Sequence, residues 1–579
     1  MRKLFTAMTG LLLMGNAHAM AADFETASDA VRNMGIGWNL GNTLEANSQT
    51  VTSDITSDAF WGQQGLDSET CWGQAPTKPG LLRMMKDAGF GAIRVPVTWY
   101  NHMDKDGNVN PAWMARVHEV VDYVVSQGLY CIINVHHDTG ADSYDASGKL
   151  NHYHWIKADA DNYQANKEKY EYLWQQIATE FRDYDEHLLF ESYNEMLDRL
   201  SSWCFASFNS DSKYDADIAA SAYQGINGYA QSFVNAVRQT GGNNAQRNLV
   251  INTYGACCGS GKWNSHLKEP LSQLAIPADE AQNHLIVQVH DYPNIEGSMA
   301  SVKSEIDDMV AAWQTHIISK GIPMILGEWG TANVDKGDGK TDYDLRRDAV
   351  FEFVDYMVQK CKDNNVATFW WMGLSDGAYR SLPAFNQPDL AERLAKAYHG
   401  SSFTGVYPKS TDYTISFTVN FSQQDSELYL YKGGSFTSAD YGRAELELEE
   451  APADGQLQWK VYCSKYSKGY TRDITSAEST LPFAASLGTV TAVVLQCKQN
   501  SGSVRVKSAR LIKRTGEEEP CNPSVYWGCT LDNITATAIS TPITTLRPQS
   551  SMLYDLTGRQ LTRDPGRGIY IKDGKKYVR

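Results

Sequence analysis

The stretch HLLFESYNEML, residues 187–197, begins like a buried β-strand and ends in polar groups. Its first half is apolar, whereas Asn194 and Glu195 follow within a few residues. Burying a carboxylate or an amide without a partner costs several kcal/mol, so such groups do not belong in an ordinary core. The stretch therefore predicts a strand whose end lies at a polar site.

Seven other runs in the first 400 residues share this pattern, and helical segments separate them. The eight runs are GIGWNLGNT (35–43), FGAIRVPVTW (90–99), LYCIINVHHD (129–138), HLLFESYNEM (187–196), NLVINTYG (248–255), HLIVQVHDYP (284–293), PMILGEWG (323–330) and ATFWWMG (367–373). Apolar strands that alternate with helices predict a parallel sheet covered by helices. Eight such units within about 360 residues predict a (β/α)8 TIM barrel. A doubly wound open sheet is the alternative, but it predicts a glycine-rich phosphate turn after the first strand, and the stretch after GIGWNLGNT does not supply one.

Polar and aromatic residues close nearly every one of these runs. In a (β/α)8 barrel the carboxyl ends of the strands form one rim, where the functional sites lie. We therefore expect the strand-end residues to share one site. They are Asn39, Arg94, Trp99, His136, His137, Asn194, Glu195, His290, Tyr292, Glu328 and Trp371.

Two of these residues, Glu195 and Glu328, follow strands four and seven and are expected to face each other across the barrel mouth. Cleavage of a glycosidic bond needs a pair of carboxyl groups: one protonates the leaving oxygen, and the other attacks the sugar or activates water. We assign Glu195 as the acid/base, which requires a raised pKa, and Glu328 as the nucleophile. Arg94 and Tyr292 are expected beside Glu328, where they would favour its ionised form. A structural ion pair with Arg94 is the alternative, and Glu191 is expected to point away from the mouth.

The sequence His136-His137-Asp138 raises the possibility of a metal site. Adjacent strand residues point to opposite faces, so the two histidines do not easily chelate one ion. Hydrogen bonds to a substrate are the preferred interpretation, and neither a metal nor another cofactor is expected.

The ordered motifs GWNLGNTLEA, GFGAIRVPVTW, INVHHD, NE, VHDYP, LGEWG and FWW resemble glycoside hydrolase family 5, the endoglucanase-rich family of retaining (β/α)8 enzymes. The resemblance covers about residues 30–400. It implies the catalytic pair Glu195 and Glu328, with a stacking platform at Trp371 beneath the reacting sugar. The implied substrate contacts are Asn39, Arg94, His136, His137, Asn194, His290, Tyr292 and Trp371. Met196, Asp291 and Met372 depart from common family residues at positions that affect substrate choice.

The chain is predicted to contain five segments. Residues 1–19 have the charged, apolar and small-residue regions of a signal peptide, and residues 20–403 form the barrel. Residues 404–515 alternate with period two, which predicts a β-sandwich, either a carbohydrate-binding module or a spacer. Residues 516–549 are predicted to be a linker. Residues 550–579 form a short basic β-rich module that resembles the C-terminal sorting domains read by type IX secretion.

Net charge and targeting signals restrict the partners. A formal net charge of −16 argues against a nucleic-acid surface. The apolar stretch near the N-terminus is too short to span a bilayer, so no membrane insertion is expected. We predict a secreted monomer, with attachment to the cell surface through type IX secretion as a further possibility. Its predicted partner is a β-glucan polysaccharide or oligosaccharide.

The predicted activity is that of a retaining endo-β-1,4-glucanase acting on cellulose-like or mixed-linkage β-glucan. An endo-xyloglucanase or a β-mannanase on the same scaffold is the near alternative. A catalytically inactive glycan-binding protein is the alternative from another class, and the presence of both glutamates counts against it.

Three further structural details are predicted, two of them for the second half of the chain. Tyr429 and Tyr431 should share one face of a strand, as a sugar platform or as core. Export makes disulfides possible, and the local pairs are Cys463 with Cys497 and Cys521 with Cys529. Cys131, in an apolar strand, is expected to be a free core residue.

Overall fold

The computed structural model describes residues 24–47, 55–57, 60–144, 148, 150–203, 214–262, 264–333, 341–409, 413–521 and 523–538, and four short strand segments between 553 and 578. The predicted signal peptide lies outside these residues. Among the described helices, none is both long enough and apolar enough to cross a membrane.

The first part of the chain is a closed barrel of eight parallel strands, which confirms the predicted fold. The strands are β1 (Ile36–Asn39), β2 (Ala92–Val95), β3 (Tyr130–Asn134), β4 (Leu188–Glu191), β5 (Leu249–Cys257), β6 (Leu285–Asp291), β7 (Met324–Trp329) and β8 (Val366–Trp370). Each strand pairs with the next along the chain, and β8 closes the barrel against β1. Every strand therefore ends at the same rim.

Ten helices are described, and those that follow strands cover the barrel. They are α1 (Ala27–Met34), α2 (Pro79–Ala88), α3 (Pro111–Val125), α4 (Ala160–Glu180), α5 (Ala216–Gln239), α6 (Glu269–Gln273), α7 (Met299–His316), α8 (Asp342–Leu345), α9 (Arg347–Asp363) and α10 (Pro388–His399). Helix α3 begins as the sequence predicts: the Asn110 side chain accepts a hydrogen bond from the Ala112 amide, and Pro111 takes the first helical position.

Helix α1 closes one end of the barrel and leaves the other for the site. Its apolar residues, such as Val31 and Met34, cluster with inward-pointing strand residues that include Leu189 and Ile286. Because α1 packs at the amino-terminal ends of the strands, the carboxyl-terminal rim is the open mouth.

The second part of the chain is a sandwich of two antiparallel sheets. Its strands are β9 (Tyr413–Phe421), β10 (Glu427–Thr437), β11 (Tyr441–Leu448), β12 (Leu457–Cys463), β13 (Tyr466–Ile474), β14 (Glu478–Pro482), β15 (Thr489–Cys497), β16 (Gly502–Lys513), β17 (Glu518–Pro520), β18 (Ser524–Trp527) and β19 (Cys529–Ala538). One sheet has the order β14-β11-β16-β9-β19, with β17 beside β16, and the other has the order β13-β12-β15-β10-β18. The prediction of a linker over residues 516–549 is wrong for much of its length, because strands β17, β18 and β19 within it pair with the sandwich sheets.

Two other predictions for the sandwich are wrong. A register shift between Tyr429 and Tyr431 in β10 puts these rings on opposite faces. Cys463 and Cys497 lie at opposite ends of the β12–β15 pair, because Cys497 pairs with Leu457, whereas Cys463 pairs with Val490. Neither they nor Cys521 and Cys529 form the predicted disulfides, while Cys131 is free and buried as expected.

The last strands form a separate small sheet. They are β20 (Leu553–Tyr554), β21 (Gln560–Leu561), β22 (Ile569–Lys572) and β23 (Lys575–Val578), paired in the order β21-β20-β22-β23. The expectation of a β-rich end of the chain agrees with these strands.

Candidate active site

The polar strand-end residues meet at the barrel mouth. Arg94 lies in β2, His290 in β6 and Glu328 in β7, while Glu195 follows β4 and Trp371 follows β8. Each sits where an apolar strand meets the rim. The structure therefore brings together side chains from five separate strands, at the rim where the sequence pattern predicts a site.

The two predicted catalytic carboxyl groups are close together. Within the group formed by Glu195, His290 and Glu328, one potential ligand atom from each residue lies within 4.8 Å of the others. A separation of about 5–5.5 Å is typical of glycosidases in which the second carboxylate attacks the sugar directly. The Glu195 side chain is 26% exposed and that of Glu328 is 6% exposed. This geometry allows nucleophilic attack from Glu328 and proton transfer from Glu195.

Glu328 is held by a cation and a phenol. Arg94 Nη1 donates to Glu328 Oε1 at 2.6 Å, and the Tyr292 hydroxyl donates to Oε2 at 2.8 Å. Burial raises the pKa of Glu328 above its ordinary value, while His290, Arg94 and the Tyr292 hydrogen bond oppose the rise. Both predicted neighbours are therefore present, and they limit the effect of burial on this carboxyl group.

Glu195 has fewer stabilising neighbours. Its Oε1 is hydrogen-bonded to His290 Nδ1 at 2.9 Å, and His290 Nδ1 is 3.6 Å from Glu328 Oε2. Burial raises the pKa of Glu195 to about 7, with only a partial opposing effect from Arg94. A proton is therefore available on Glu195 near neutral pH, as a general acid requires.

Arg94 is the centre of the buried network beneath the two glutamates. Its Nε and Nη2 donate to the two oxygens of Glu191, both at 2.7 Å, and Nη2 also donates to Asn194 Oδ1 at 2.8 Å. Burial lowers the pKa of Arg94, but Glu191 and Glu328 outweigh it and raise the pKa above its ordinary value. The expectation that Glu191 points away from the mouth is wrong: it pairs with Arg94 on the floor of the site.

Asn39 also acts on Arg94. It is fully buried, donates from Nδ2 to the Gly327 and Phe369 carbonyls, and accepts from Arg94 Nη1 at 3.0 Å. In this position Asn39 orients the guanidinium, so the structure places it below the surface that a sugar would touch.

His290 and His136 are neutral near pH 7. Burial lowers the pKa of His290 to about 4 and that of His136 well below its usual value. Asn134 Oδ1 accepts from the Val97 amide, so its Nδ2 is the donor to His136 Nδ1 at 3.0 Å. His136 therefore carries its proton on Nε2, which lies 4.0 Å from Glu328 Oε1.

Aromatic rings line the mouth beside the carboxyl groups. Trp371 is half-buried and parallel to His136, with 6.1 Å between ring centroids and 5° between planes. His137 contacts Trp72, with centroids 5.4 Å apart. Trp72 is 39% exposed and donates to the Asn47 carbonyl at 2.8 Å. The sequence reasoning missed Trp72, because it lies in a loop after β1 rather than at a strand end.

Glu195, His290 and Glu328 are close enough to serve as metal ligands. However, Arg94 already supplies a positive charge to Glu328, and His290 is hydrogen-bonded to Glu195. The expected independence from metal stays a prediction.

Comparison with known proteins identifies the barrel. The sequence profile of the cellulase family, glycosyl hydrolase family 5, matches residues 53–376, more than half of the chain. Endoglucanase B of Neocallimastix patriciarum is 31% identical over 389 residues, which cover 65% of this chain and 71% of the relative.

Two solved structures resemble the same part of the chain. A broad-specificity family 5 endoglucanase from an uncultured bacterium is 60% identical, with a TM-score of 0.59, and the match covers 65% of this chain and 96% of that one. A Prevotella bryantii family 5 enzyme, crystallised as a mutant with a xyloglucan tetradecasaccharide, is 39% identical, with a TM-score of 0.54 and coverage of 65% and 99%. The chain therefore belongs to glycosyl hydrolase family 5, the cellulase family, and is a retaining glycoside hydrolase of the endo-β-glucanase type.

Proposed function

We propose that this chain cleaves internal β-1,4 bonds of glucan chains with Glu195 as acid/base and Glu328 as nucleophile. The observation that carries the assignment is the pair of carboxyl groups within 4.8 Å, which differ in their neighbours. Arg94 and Tyr292 hold Glu328 as an anion, whereas burial keeps a proton on Glu195.

The reaction proceeds in two displacements. Glu328 attacks the anomeric carbon while Glu195 gives its proton to the leaving oxygen, which forms a glycosyl-enzyme and releases the first product. Glu195, now ionised, then removes a proton from water, which attacks the same carbon and releases Glu328. The anomeric configuration is retained because it inverts twice.

The predicted substrate contacts divide into three groups in this proposal. Trp371, His136 and His137 line the mouth and provide a stacking surface and hydrogen bonds for sugar rings. Asn39 and Arg94 are buried, so their role is to orient Glu328 and Asn194. His290 and Tyr292 hold the two carboxyl groups in place through direct hydrogen bonds.

The substrate is an unbranched or branched β-1,4-glucan. Support comes from relatives described as a broad-specificity endoglucanase and as an enzyme bound to xyloglucan. Cellulose-like and mixed-linkage glucans are the first choice, and xyloglucan is the second because the Prevotella bryantii relative holds it in its crystal. The proposal takes the enzyme to be a monomer without a metal or other cofactor.

A reducing-sugar assay on carboxymethyl cellulose, lichenan, xyloglucan and glucomannan tests this function. The wild-type chain should release sugar from the first three, and Glu328→Gln should lose several orders of magnitude in kcat because the attacking group is gone. Undiminished turnover in EDTA is expected. Glucomannan as the preferred substrate, or wild-type turnover in Glu328→Gln, would contradict the proposal.

For localisation we propose export. Residues 1–19 would be a signal peptide, and residues 550–579 would direct type IX secretion, with attachment to the cell surface or release. Expression in a host with type IX secretion, with and without residues 550–579, tests the second step. The full chain should reach the medium or the outer surface, whereas the shortened chain should stay in the periplasm.

A further inference from the structure

The sandwich presents an unusual outer surface on its five-stranded sheet. This surface, which we call the tyrosine face, consists of Glu427, Tyr429, Tyr462, Gln496 and Tyr526. The outer face of a β-sandwich usually carries scattered charged side chains in water. Here Tyr429 is only 8% exposed and packs with Ala492, Val494 and Tyr462 in a cluster separate from the sandwich core.

A fixed row of polar groups crosses this face. Gln496 Nε2 donates to Glu427 Oε1 at 2.8 Å, and the Tyr462 hydroxyl donates to Glu427 Oε2 at 2.9 Å. Lys460 forms an ion pair with the same carboxylate, and Gln458 donates to Gln496. The Glu427 side chain is 6% exposed. These hydrogen bonds hold the planar carboxylate and amide groups in one orientation.

Aromatic rings continue the row to the edge of the sheet. Tyr526 contacts Tyr429 with centroids 4.5 Å apart, and Lys432 Nζ lies 4.5 Å from the Tyr429 ring centroid. Tyr526 and the adjacent Trp527 are 51% and 49% exposed. Large rings that remain half exposed at one edge of an ordered polar row offer a stacking surface to a ligand.

The charges of the face restrict what it binds. Lys460 is paired with Glu427, and Lys432 lies against the electron-rich faces of Tyr429 and Tyr526. No unpaired carboxylate is available for a cation among these residues, and no cluster of free cations for a polyanion. Exposed rings beside planar amide and carboxylate groups suit a neutral ligand that has both apolar C–H faces and hydroxyl groups.

We propose that the tyrosine face, together with Trp527, binds a β-1,4-linked glucan chain separately from the barrel cleft. A pyranose ring stacks on Tyr526 or Trp527, and neighbouring hydroxyls bond to Glu427, Gln496 and Tyr462. The extended, flat shape of this polymer matches a row that runs across a sheet. The choice of β-1,4-glucan among neutral glycans rests on the function proposed for the barrel.

Binding to insoluble cellulose tests this proposal. The full chain carrying Glu328→Gln is compared with the same chain carrying Tyr526→Ala and Trp527→Ala in addition. The control variant is Tyr466→Ala, which removes a tyrosine that is 42% exposed in β13 of the same sheet and contacts Tyr470 away from this face. Because both substituted face residues are half exposed, the fold should survive, and circular dichroism checks this.

We expect the double substitution to weaken retention about five- to tenfold, as the loss of aromatic stacking predicts, while the control retains its binding. In the wild-type background the same double substitution should leave hydrolysis of short soluble cello-oligosaccharides unchanged. Equal retention of all three proteins would overturn the proposal, and so would an equal loss in the control. A change from dimer to monomer in sedimentation, with retention unchanged, would assign the face to a second copy of the chain instead. Wild-type chain that binds through this face but hydrolyses nothing would refute only the barrel function.

Discussion

Glu195 and Glu328 are the same residue type in one small site, and their neighbours give them different properties. Glu328 accepts hydrogen bonds from Arg94 and Tyr292, both of which favour its anion. Among the described residues, the neutral His290 is the one direct side-chain partner of Glu195, and burial raises the pKa of Glu195 to about 7. Two carboxyl groups with separated protonation are what acid and nucleophile require.

The pH dependence of kcat/KM follows from these pKa values. Glu195 must carry its proton, so the rate should fall as the pH rises through about 7. Glu328 must be ionised, so the rate should also fall as the pH drops through the pKa of Glu328. Because this pKa is raised, the fall should begin at a higher pH than an ordinary glutamate would give.

A pH profile of the wild type and of Glu195→Gln measures this. With a substrate whose leaving group needs no acid, the rate at which the Glu195→Gln variant forms the glycosyl-enzyme should no longer fall as the pH rises through about 7. A wild-type rate that stays constant from about pH 5 to pH 9 would contradict the assignment of Glu195.

The alternation of side chains between the two faces of a strand explains which site residues can be predicted from the sequence. Ala92 and Leu189 point into the barrel, so Arg94 and Glu191, two residues further along the same strands, also point inward. Applied to β4, this rule would have placed Glu191 at the floor of the site. Trp72 could not be predicted in this way, because it lies in a loop. Side chains in a loop do not alternate between two faces, and their positions depend on tertiary contacts.

Gly327 in β7 shows how tightly adjacent strands support the site. A Cβ at this position would lie 2.1 Å from Gln288 Oε1 in β6, and Gln288 is fully buried beside His290. Gly327→Ala should therefore lower the free energy of unfolding by about 1–3 kcal/mol and reduce kcat, because Gln288 and His290 must shift.

A double substitution separates this steric effect from a general loss of stability. Gln288→Ala together with Gly327→Ala makes room for the new methyl group and should be more stable than Gly327→Ala alone in urea unfolding. If the double variant is less stable by the sum of the two single effects, the overlap with Gln288 is not the cause.

At the scale of the whole molecule, the sequence predicted the order of barrel and sandwich but not where the sandwich ends. Strands β17 to β19 lie in the segment predicted to be linker, because the first two, EEP and SVYW, are short strands that bury little and so lack an alternating pattern. The predicted disulfides are wrong because two cysteines that are close in sequence need not be close in space. The register of the paired strands decides which cysteines come together.

The sandwich and the barrel share part of one hydrophobic core. Leu382 and Ala384, in the loop between β8 and α10, belong to the core cluster of the sandwich. The same loop carries the fully buried Arg380. Its Nη1 donates at 2.8 Å to the carbonyl of Gly41, which follows the first barrel strand in the chain. The sandwich therefore supports a loop that also contacts the barrel mouth.

Removing residues 413–579 should consequently affect the barrel. Exposing Leu382 alone forfeits about 1.5–3 kcal/mol of burial, so we expect a lower melting temperature and a raised KM on soluble glucan, with a smaller change in kcat. Calorimetry and steady-state kinetics measure both effects. A shortened chain that melts and binds substrate like the full chain would show that the shared core is unimportant.

In the proposed mechanism, Glu328 forms a covalent bond with the sugar while Glu195 transfers the proton. A 2-deoxy-2-fluoro-cellobioside with an activated leaving group slows breakdown of the glycosyl-enzyme, so the intermediate accumulates and can be located by peptide mass spectrometry. This mechanism predicts one added disaccharide per chain, attached to Glu328 and absent in Glu328→Gln. A label on another residue of a fully active enzyme would contradict it.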